Sequence, residues 1–176
     1  RLEKIAGIVS PAKVIPAAME FVDIAGLVEG ASRGEGLGNQ FLANIRETDA
    51  IAHVVRCFED ENVTHVSNRI DPAADIEVIN TELQLADLQT IENGINRVSR
   101  VAKSGDREEL AKLQYLEKLQ AHIDQGQPAR TFVTEDEYSQ TLHGLHLLTM
   151  KPVLYIANVD EDGFSGNSQV GVVSQI

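Results

Sequence analysis

The feature that most constrains this chain is a pair of apolar seams separated by a short polar break. Leu88, Ile91, Ile95, Val98 and Ala102 step by three, four, three and four residues, the spacing that keeps one stripe of a helix against a partner. Lys103-Ser104-Gly105 ends that pattern, and Asp106 with Glu109 three positions later fits a capping box for a second helix. There Leu113, Leu116 and Ile123 continue the seam, with Gln120 as a polar intruder. Two such helices joined by so short a connection form an antiparallel hairpin. Asp71 opens it as a cap before Pro72 at the first helical position, and Gly126 and Pro128 close it. A hairpin this narrow is expected to lack a core of its own and so to project from a second body.

The flanks read differently. Leu2, Ile5, Ala6 and Val9 predict an opening helix, which Pro11 and Pro16 break. Met19 to Gly26 alternates apolar residues and then reaches Asp and Gly, predicting a strand whose functional end is Asp23. Gly30 to Gly38 holds four glycines and predicts a flexible loop. Asn39 is expected to cap the following helix, with Phe41, Leu42 and Ile45 facing inward. Ile51 to Phe58 is almost continuously apolar, as a central strand of a parallel sheet is. Thr134 and Glu137 form another capping box, predicting a helix to about Thr149, and Pro152 to Ala157 predicts a third strand ending at Asn158. Strand, helix and strand in succession make an α/β fold. Residues 1–70 and 131–176 are expected to form the sheet domain, and 71–130 a helical insertion within it.

Composition excludes several function classes. The lone Cys57 cannot form an internal disulfide, and a reducing cytoplasmic compartment is expected. Apolar runs such as Val153 to Ala157 fall far short of the ~20 residues that a membrane-spanning helix needs, so no membrane partner is expected. Fifteen basic against 27 acidic residues leave a net charge of −12. Such a chain will not coat nucleic acid non-specifically, and no sequence-specific DNA partner is expected, although a local basic face could still bind nucleic acid. Five Phe, three Tyr and no Trp argue against an aromatic platform for single strands. The chain opens inside a helical pattern without Met and ends from Val170 to Ile176 without a stop signal, so an internal fragment is expected.

Two clusters could carry chemistry. Asp-x-x-Gly after an apolar strand, here Asp23 and Gly26, is the arrangement of a phosphate-hydrolysing switch: the carboxylate reaches Mg²⁺ through water and the glycine N–H faces the terminal phosphate. An ordinary turn after a strand carries the same residues. In Asn158-Val159-Asp160-Glu161 an amide and a carboxylate three apart can grip the edge of a nucleotide base, though Asn and Asp also form plain turns. Gly34 to Asn39 fails as a dinucleotide fingerprint because its third glycine is Asn39. His143 and His146 lack the carboxylate of a zinc helix, with Gly144 between them; His53 reads as a core or rim residue of its strand. His65 lies in the connection from Glu59 to Asn68 and reads, on its own, as a surface loop residue.

Residues 20 to 60, EFVDIAGLVEGASRGEGLGNQFLANIRETDAIAHVVRCFED, resemble the YchF family of Obg-like ATPases within the P-loop GTPase class. The likeness continues through DPAADIEVINTELQLADL and KPVLYIANVDEDGF. It implies a partial P-loop G domain with a parallel sheet and an inserted antiparallel coiled-coil hairpin. By the same resemblance, Asp23 would serve Mg²⁺ and Gly26 the terminal phosphate. Leu27 stands where relatives place a water-orienting Gln, and His65 would act in its place. Asn158, Val159 and Glu161 stand in the base-recognition motif, where guanine-specific relatives have N-K-x-D; Glu for Asp and the absent Lys imply a turn toward adenine. The implied ligand is ATP, or GTP, with Mg²⁺, and the implied partner is the ribosome or a ribosomal subunit. G-x-x-x-x-G-K-[ST] is absent, since the chain has no Gly-Lys pair. The resemblance therefore implies that the phosphate cradle lies outside these residues, which alone would not turn over nucleotide. The rival expectation is a non-catalytic interaction module that displays the hairpin.

Overall fold

In this computed structural model, which describes residues 1–24, 37–59, 70–103, 105–133 and 136–176, eight regular elements of more than three residues occur among the described residues. They are α1 (Leu2–Val9), α2 (Leu37–Arg46), β1 (Ile51–Arg56), α3 (Pro72–Ala102), α4 (Arg107–Asp124), α5 (Ser139–His143), β2 (Val153–Asn158) and α6 (Ser168–Val173).

The long pair α3 and α4 starts where its caps dictate. The Asp71 carboxylate accepts the Ala74 N–H at 3.2 Å, and Pro72 occupies the first turn, where its missing N–H costs nothing. The Asp106 carboxylate accepts the Glu108 N–H at 2.9 Å and opens α4. Between them Gly105 takes φ +83°, a left-handed conformation that a Cβ would oppose. Ile91 and Val98 of α3 are buried in one cluster with Tyr115, Leu116, Leu119 and Ile123 of α4, and Ala102 is buried at the end of α3. The second seam thus runs through Leu119; Gln120 stands beside it, half-exposed, and does not interrupt it.

The hairpin does not close a core by itself. Its seam residues join Ala129, Leu142 and Leu147 in one buried cluster, with Phe132, Tyr138 and Leu145 packed around it. The returning chain completes the core that two helices alone could not close. Tyr138 stacks on Tyr115 at 4.5 Å between centroids, and Phe132 meets Tyr115 edge-on at 5.7 Å, so the few aromatics are concentrated here.

The single helix expected up to Thr149 is corrected. Thr134 lies outside the described residues, a 3₁₀ turn at Asp136–Tyr138 leads into the short α5, and Gly144 ends it. His146 then takes φ +50°, and Leu148–Met150 forms another 3₁₀ turn. The physical reason is competition: the backbone N–H groups of Leu148 and Thr149 are taken by the buried Asp87 carboxylate and are not available to a continuing helix.

Strands β1 and β2 pair in parallel, in register from Ile51 opposite Val153 to Arg56 opposite Asn158. Val55, Cys57, Tyr155 and Ala157 turn one face toward Ile76 of α3 and Val170 and Val173 of α6. Val54, Leu154 and Ile156 on the other face are exposed. The strand expected to be central is therefore covered on one side and has one neighbour among the described residues.

The strand expected from Met19 is not found among the described residues. Residues 11–24 form no ladder, and Met19, Phe21 and Val22 are exposed, Phe21 at 73%. Alternation alone cannot make a strand, because its N–H and C=O groups need a neighbouring chain. Ile24 alone in this stretch packs inward, against the cluster of Leu42, Ile45, Leu83, Ala86 and Leu148. Helix α2 begins before Asn39, which therefore lies within the helix and not at its cap. Leu42 and Ile45 are buried as expected and Phe41 is half-buried.

Candidate functional site

Both strands point their carboxyl ends the same way, which is where ligands bind in open parallel sheets. That rim consists of Arg56, the last residue of β1, through Glu59 and Asn158, the last residue of β2, through Gly163. It is locked from both sides. The Cys57 N–H donates to the Asn158 carbonyl at 2.7 Å, extending the ladder one step beyond β1. The Asn167 side chain donates to the Cys57 carbonyl at 2.8 Å while its Oδ1 accepts the Gln169 N–H at 2.9 Å, capping α6. Asn167 therefore ties the β1 end, the loop after β2 and α6 into one frame.

The loop itself is tight. The Gly163 N–H donates to the Asp160 carbonyl at 3.1 Å. A Cβ on Gly163 would lie 2.5 Å from Asp160 Oδ1 and 2.9 Å from Val159 Cβ, so the turn has no room for a side chain there. In this frame the side chains of Asn158 and Glu161 are exposed and Val159 is half-buried against the cluster of Val55 and Ile76. An exposed carboxamide offers both donor and acceptor, and an exposed carboxylate two acceptors. Together they can read a flat, hydrogen-bonding edge. Arg56 adds a guanidinium 4.8 Å above the Phe58 ring, its Nε donating to the Phe58 carbonyl at 3.0 Å.

Ahead of the amino end of β2, away from the rim, lies a buried polar staple. Asp87 of α3 is wholly buried; it accepts from the Leu148 N–H (2.7 Å), the Thr149 N–H (2.8 Å) and the Thr149 hydroxyl (2.7 Å). Thr149 Oγ1 in turn accepts the Ala129 N–H at 2.9 Å, and Arg130 donates to the Thr149 carbonyl at 3.2 Å. Burial pushes the Asp87 carboxyl above the usual carboxylate range, against the pull of its three donors and of Arg46. Two residues further on, the Lys151 ammonium donates to the carbonyls of Arg46 and Thr48, placing a cation at the C-terminus of α2. The start of β2 is thus anchored to α3 and α2 before the strand runs out to Asn158.

Of the expected site residues, the structure brings Asn158, Val159 and Glu161 together at the strand ends. Asp23 is exposed, one residue before the docked Ile24, and no contact joins it to the Asn158 loop among the described residues. Gly26, Leu27 and His65 lie outside the described residues. His53 packs beside Tyr155, its ring 5.7 Å away; burial holds its imidazole below the usual value, against the opposing pull of Asp75. The Cys57 thiol is raised by burial and by Asp75, which suits an inert core residue. Sequence reasoning missed Asn167, although Asn followed by Ser ahead of Val170 and Val173 is a helix-start signal. It also missed Asp87, for which a carboxylate inside a helical pattern gives no signal.

Mg²⁺ needs oxygen ligands and keeps much of its water, using one or two carboxylates with the phosphates of its nucleotide. No group of three His, Cys, Asp or Glu side chains among the described residues could hold an ion alone. Asp23 presents one exposed carboxylate, which could supply only part of the oxygen shell such a metal takes. No helix among the described residues is long and apolar enough to cross a membrane.

The family of 50S ribosome-binding GTPases matches residues 4–84. The ribosome-binding ATPase YchF of Escherichia coli O157:H7 is 54% identical over 176 residues, all of this chain and 48% of that protein. Its Bacillus subtilis counterpart is 49% identical over 178 aligned residues, covering 99% of this chain and 49% of the relative. The solved YchF GTPase of Schizosaccharomyces pombe superimposes with a TM-score of 0.80 at 30% identity, over 99% of this chain and 48% of the other. The chain spans about half the length of the curated relatives it matches.

Proposed function

This chain belongs to the YchF family, and we propose that it contributes the base-recognition rim and the second switch of a ribosome-associated, cytoplasmic nucleoside triphosphatase. The full-length protein would convert ATP, or GTP, to the diphosphate and phosphate. The observation that carries this reading is the placement of Asn158 and Glu161, both exposed, on a clamped turn at the carboxyl end of a parallel strand.

The work divides by residue. Asn158 donates and accepts along the base edge, Glu161 accepts from an amino group, and Val159 packs the loop without adding a charge. The wider reach of Glu161, compared with an aspartate, reduces the reward for guanine. Asp23 would hold Mg²⁺ through water, and that ion would neutralise charge on the phosphates when bound. Gly26 offers its N–H to the terminal phosphate. Leu27 has no donor or acceptor to orient water, so His65 takes that role. With no Gly-Lys pair the 176 residues lack a phosphate cradle, and alone they bind ATP no better than about millimolar. The packed helices α3 and α4 serve as a coiled-coil insertion that meets the partner. A second reading, a non-catalytic module displaying that hairpin, is favoured by the size of the core the hairpin completes with its return segment.

The test uses the full-length protein. Asn158→Ala should weaken ATP binding at least tenfold without changing the melting temperature. His65→Ala should lower kcat at least tenfold with Kd nearly unchanged, since its contribution is made in the transition state. Parental ATP binding in the first variant would return Asn158 to an ordinary turn, and parental turnover in the second would return His65 to a loop residue.

A further inference from the structure

Asn167 does two jobs with one side chain. Its Oδ1 accepts the N–H groups of Gln169 at 2.9 Å and Val170 at 3.4 Å, which caps α6. Ser or Asp would cap a helix equally well. Neither could do the second job, since Ser is shorter and an ionised Asp has no donor. That job is the bond from Asn167 Nδ2 to the Cys57 carbonyl, at 2.8 Å.

The Cys57 carbonyl is where the next rung of the sheet would form. Along the ladder a β1 residue gives its N–H to the residue before its partner, as Ile51 does to Pro152 and Cys57 to Asn158. Its carbonyl accepts from the residue after its partner. Cys57 stands one step past the Arg56–Asn158 pair, so a continued ladder would bring the Asp160 N–H to the Cys57 carbonyl. Strand β2 ends at Asn158, and the Asn167 amide holds that carbonyl instead. Released from the sheet, the chain turns, and the Gly163 N–H closes onto the Asp160 carbonyl at 3.1 Å. The turn lies directly against Asn167: a Cβ on Gly163 would sit 3.2 Å from Asn167 Nδ2. This matters for Asn158 and Glu161, which are three residues apart. In a continued strand they would point to opposite faces of the sheet. On the turn both are exposed beyond the strand end.

We propose that Asn167 is a positioning residue for base recognition. By standing in for the Asp160 rung it ends the ladder at Asn158 and fixes the turn on which Asn158 and Glu161 serve one ligand edge. The inference rests on the reading of that turn as the base-recognition rim. Asn167 acts through the backbone of Cys57 and of the turn, not by contact with the base.

The experiment is titration calorimetry of the full-length protein with ATP and with inorganic triphosphate, which has no base. Asn167→Ser keeps a cap on α6 but cannot span to Cys57, and Asn167→Asp meets the carbonyl with an acceptor. Both should weaken ATP binding about fivefold or more and leave triphosphate within about twofold. Either variant decides the matter if the other does not fold. Added to Asn158→Ala, Asn167→Ser should cost less than about twofold more, because it acts through the same contact. Val173→Ala, which loosens the packing of α6 without touching the clamp, should lower Tm and leave ATP affinity unchanged. Parental ATP binding by the Asn167 variants overturns the proposal. So does an equal loss of ATP and triphosphate, full additivity with Asn158→Ala, or a loss as large in Val173→Ala. Asn158→Ala separates the two claims. If it binds ATP like the parent, the base-recognition reading falls and this inference with it; if it alone loses affinity, only the role of Asn167 falls.

Discussion

The hairpin with its return segment and the rim at the strand ends are built on opposite plans. Around α3 and α4 the residues that matter are buried: Ile91, Leu116, Leu119 and Ile123 close a core, and Asp87 spends three acceptor contacts on backbone and hydroxyl of a segment 61 and 62 residues away. At the rim Asn158 and Glu161 are exposed, and what holds them is the buried pair Cys57 and Val55 with the half-buried clamp of Asn167. The difference teaches where each region's free energy goes. The staple at Asp87 uses its polar groups for structure, while the rim leaves the side chains of Asn158 and Glu161 exposed.

Substitutions can break or sharpen that contrast. The largest effect is expected at Asp87. Asp87→Ala leaves three buried donors without acceptors and should cost about 3 kcal/mol, lowering Tm by roughly 6–12 °C in calorimetry. Asp87→Asn should cost about 2 kcal/mol, because its amide turns a donor toward donors. If Asp87→Ala melted like the parent, the staple would be dispensable and the contrast would fail on its buried side.

Gly163→Ala should come next. Its new Cβ must displace Asp160 and Val159, costing about 1–3 kcal/mol as an overpacked turn. Because the displaced residues are the loop itself, ATP affinity of the full-length protein should fall as well. Weakened binding in titration calorimetry, with a smaller melting shift than Asp87→Ala, would mark the rim as the functional region; a melting shift without loss of affinity would mark it as scaffold.

The smallest effect concerns pH. His53 titrates below its usual range because it is buried, so the unfolded chain takes up its proton first. Stability should therefore rise with pH up to about 6.5 and fall below it. His53→Gln should narrow the Tm difference between pH 5 and pH 7.5 in calorimetry. An unchanged difference would assign the acid sensitivity to other groups.

Much of this molecule was legible because its signals are local. Asp71-Pro72, Asp106 and the seam residues act through neighbours three or four positions away, and they stand where the spacing placed them. Asn158 at the end of an apolar run was legible for the same reason, since strand, turn and polar residue are adjacent. The failures are non-local. The Met19 alternation needed a partner chain to become a strand, and none pairs with it among the described residues. The helix expected up to Thr149 lost its backbone donors to Asp87, a competitor in a different element. Val54 reads like a core residue in an apolar run, yet which face the helices cover is decided by α3 and α6, not by the strand.

The central claim is that the turn after β2 reads the nucleotide base, and one measurement bears on it most directly. In the full-length protein, Val159→Lys with Glu161→Asp converts Asn158-Val159-Asp160-Glu161 toward the guanine-reading pattern. The ratio of kcat/KM for GTP over ATP should rise at least tenfold, about 1.4 kcal/mol of differential binding. A ratio that does not move, in a variant that melts like its parent and still hydrolyses ATP, would contradict the claim and place base choice elsewhere in the protein.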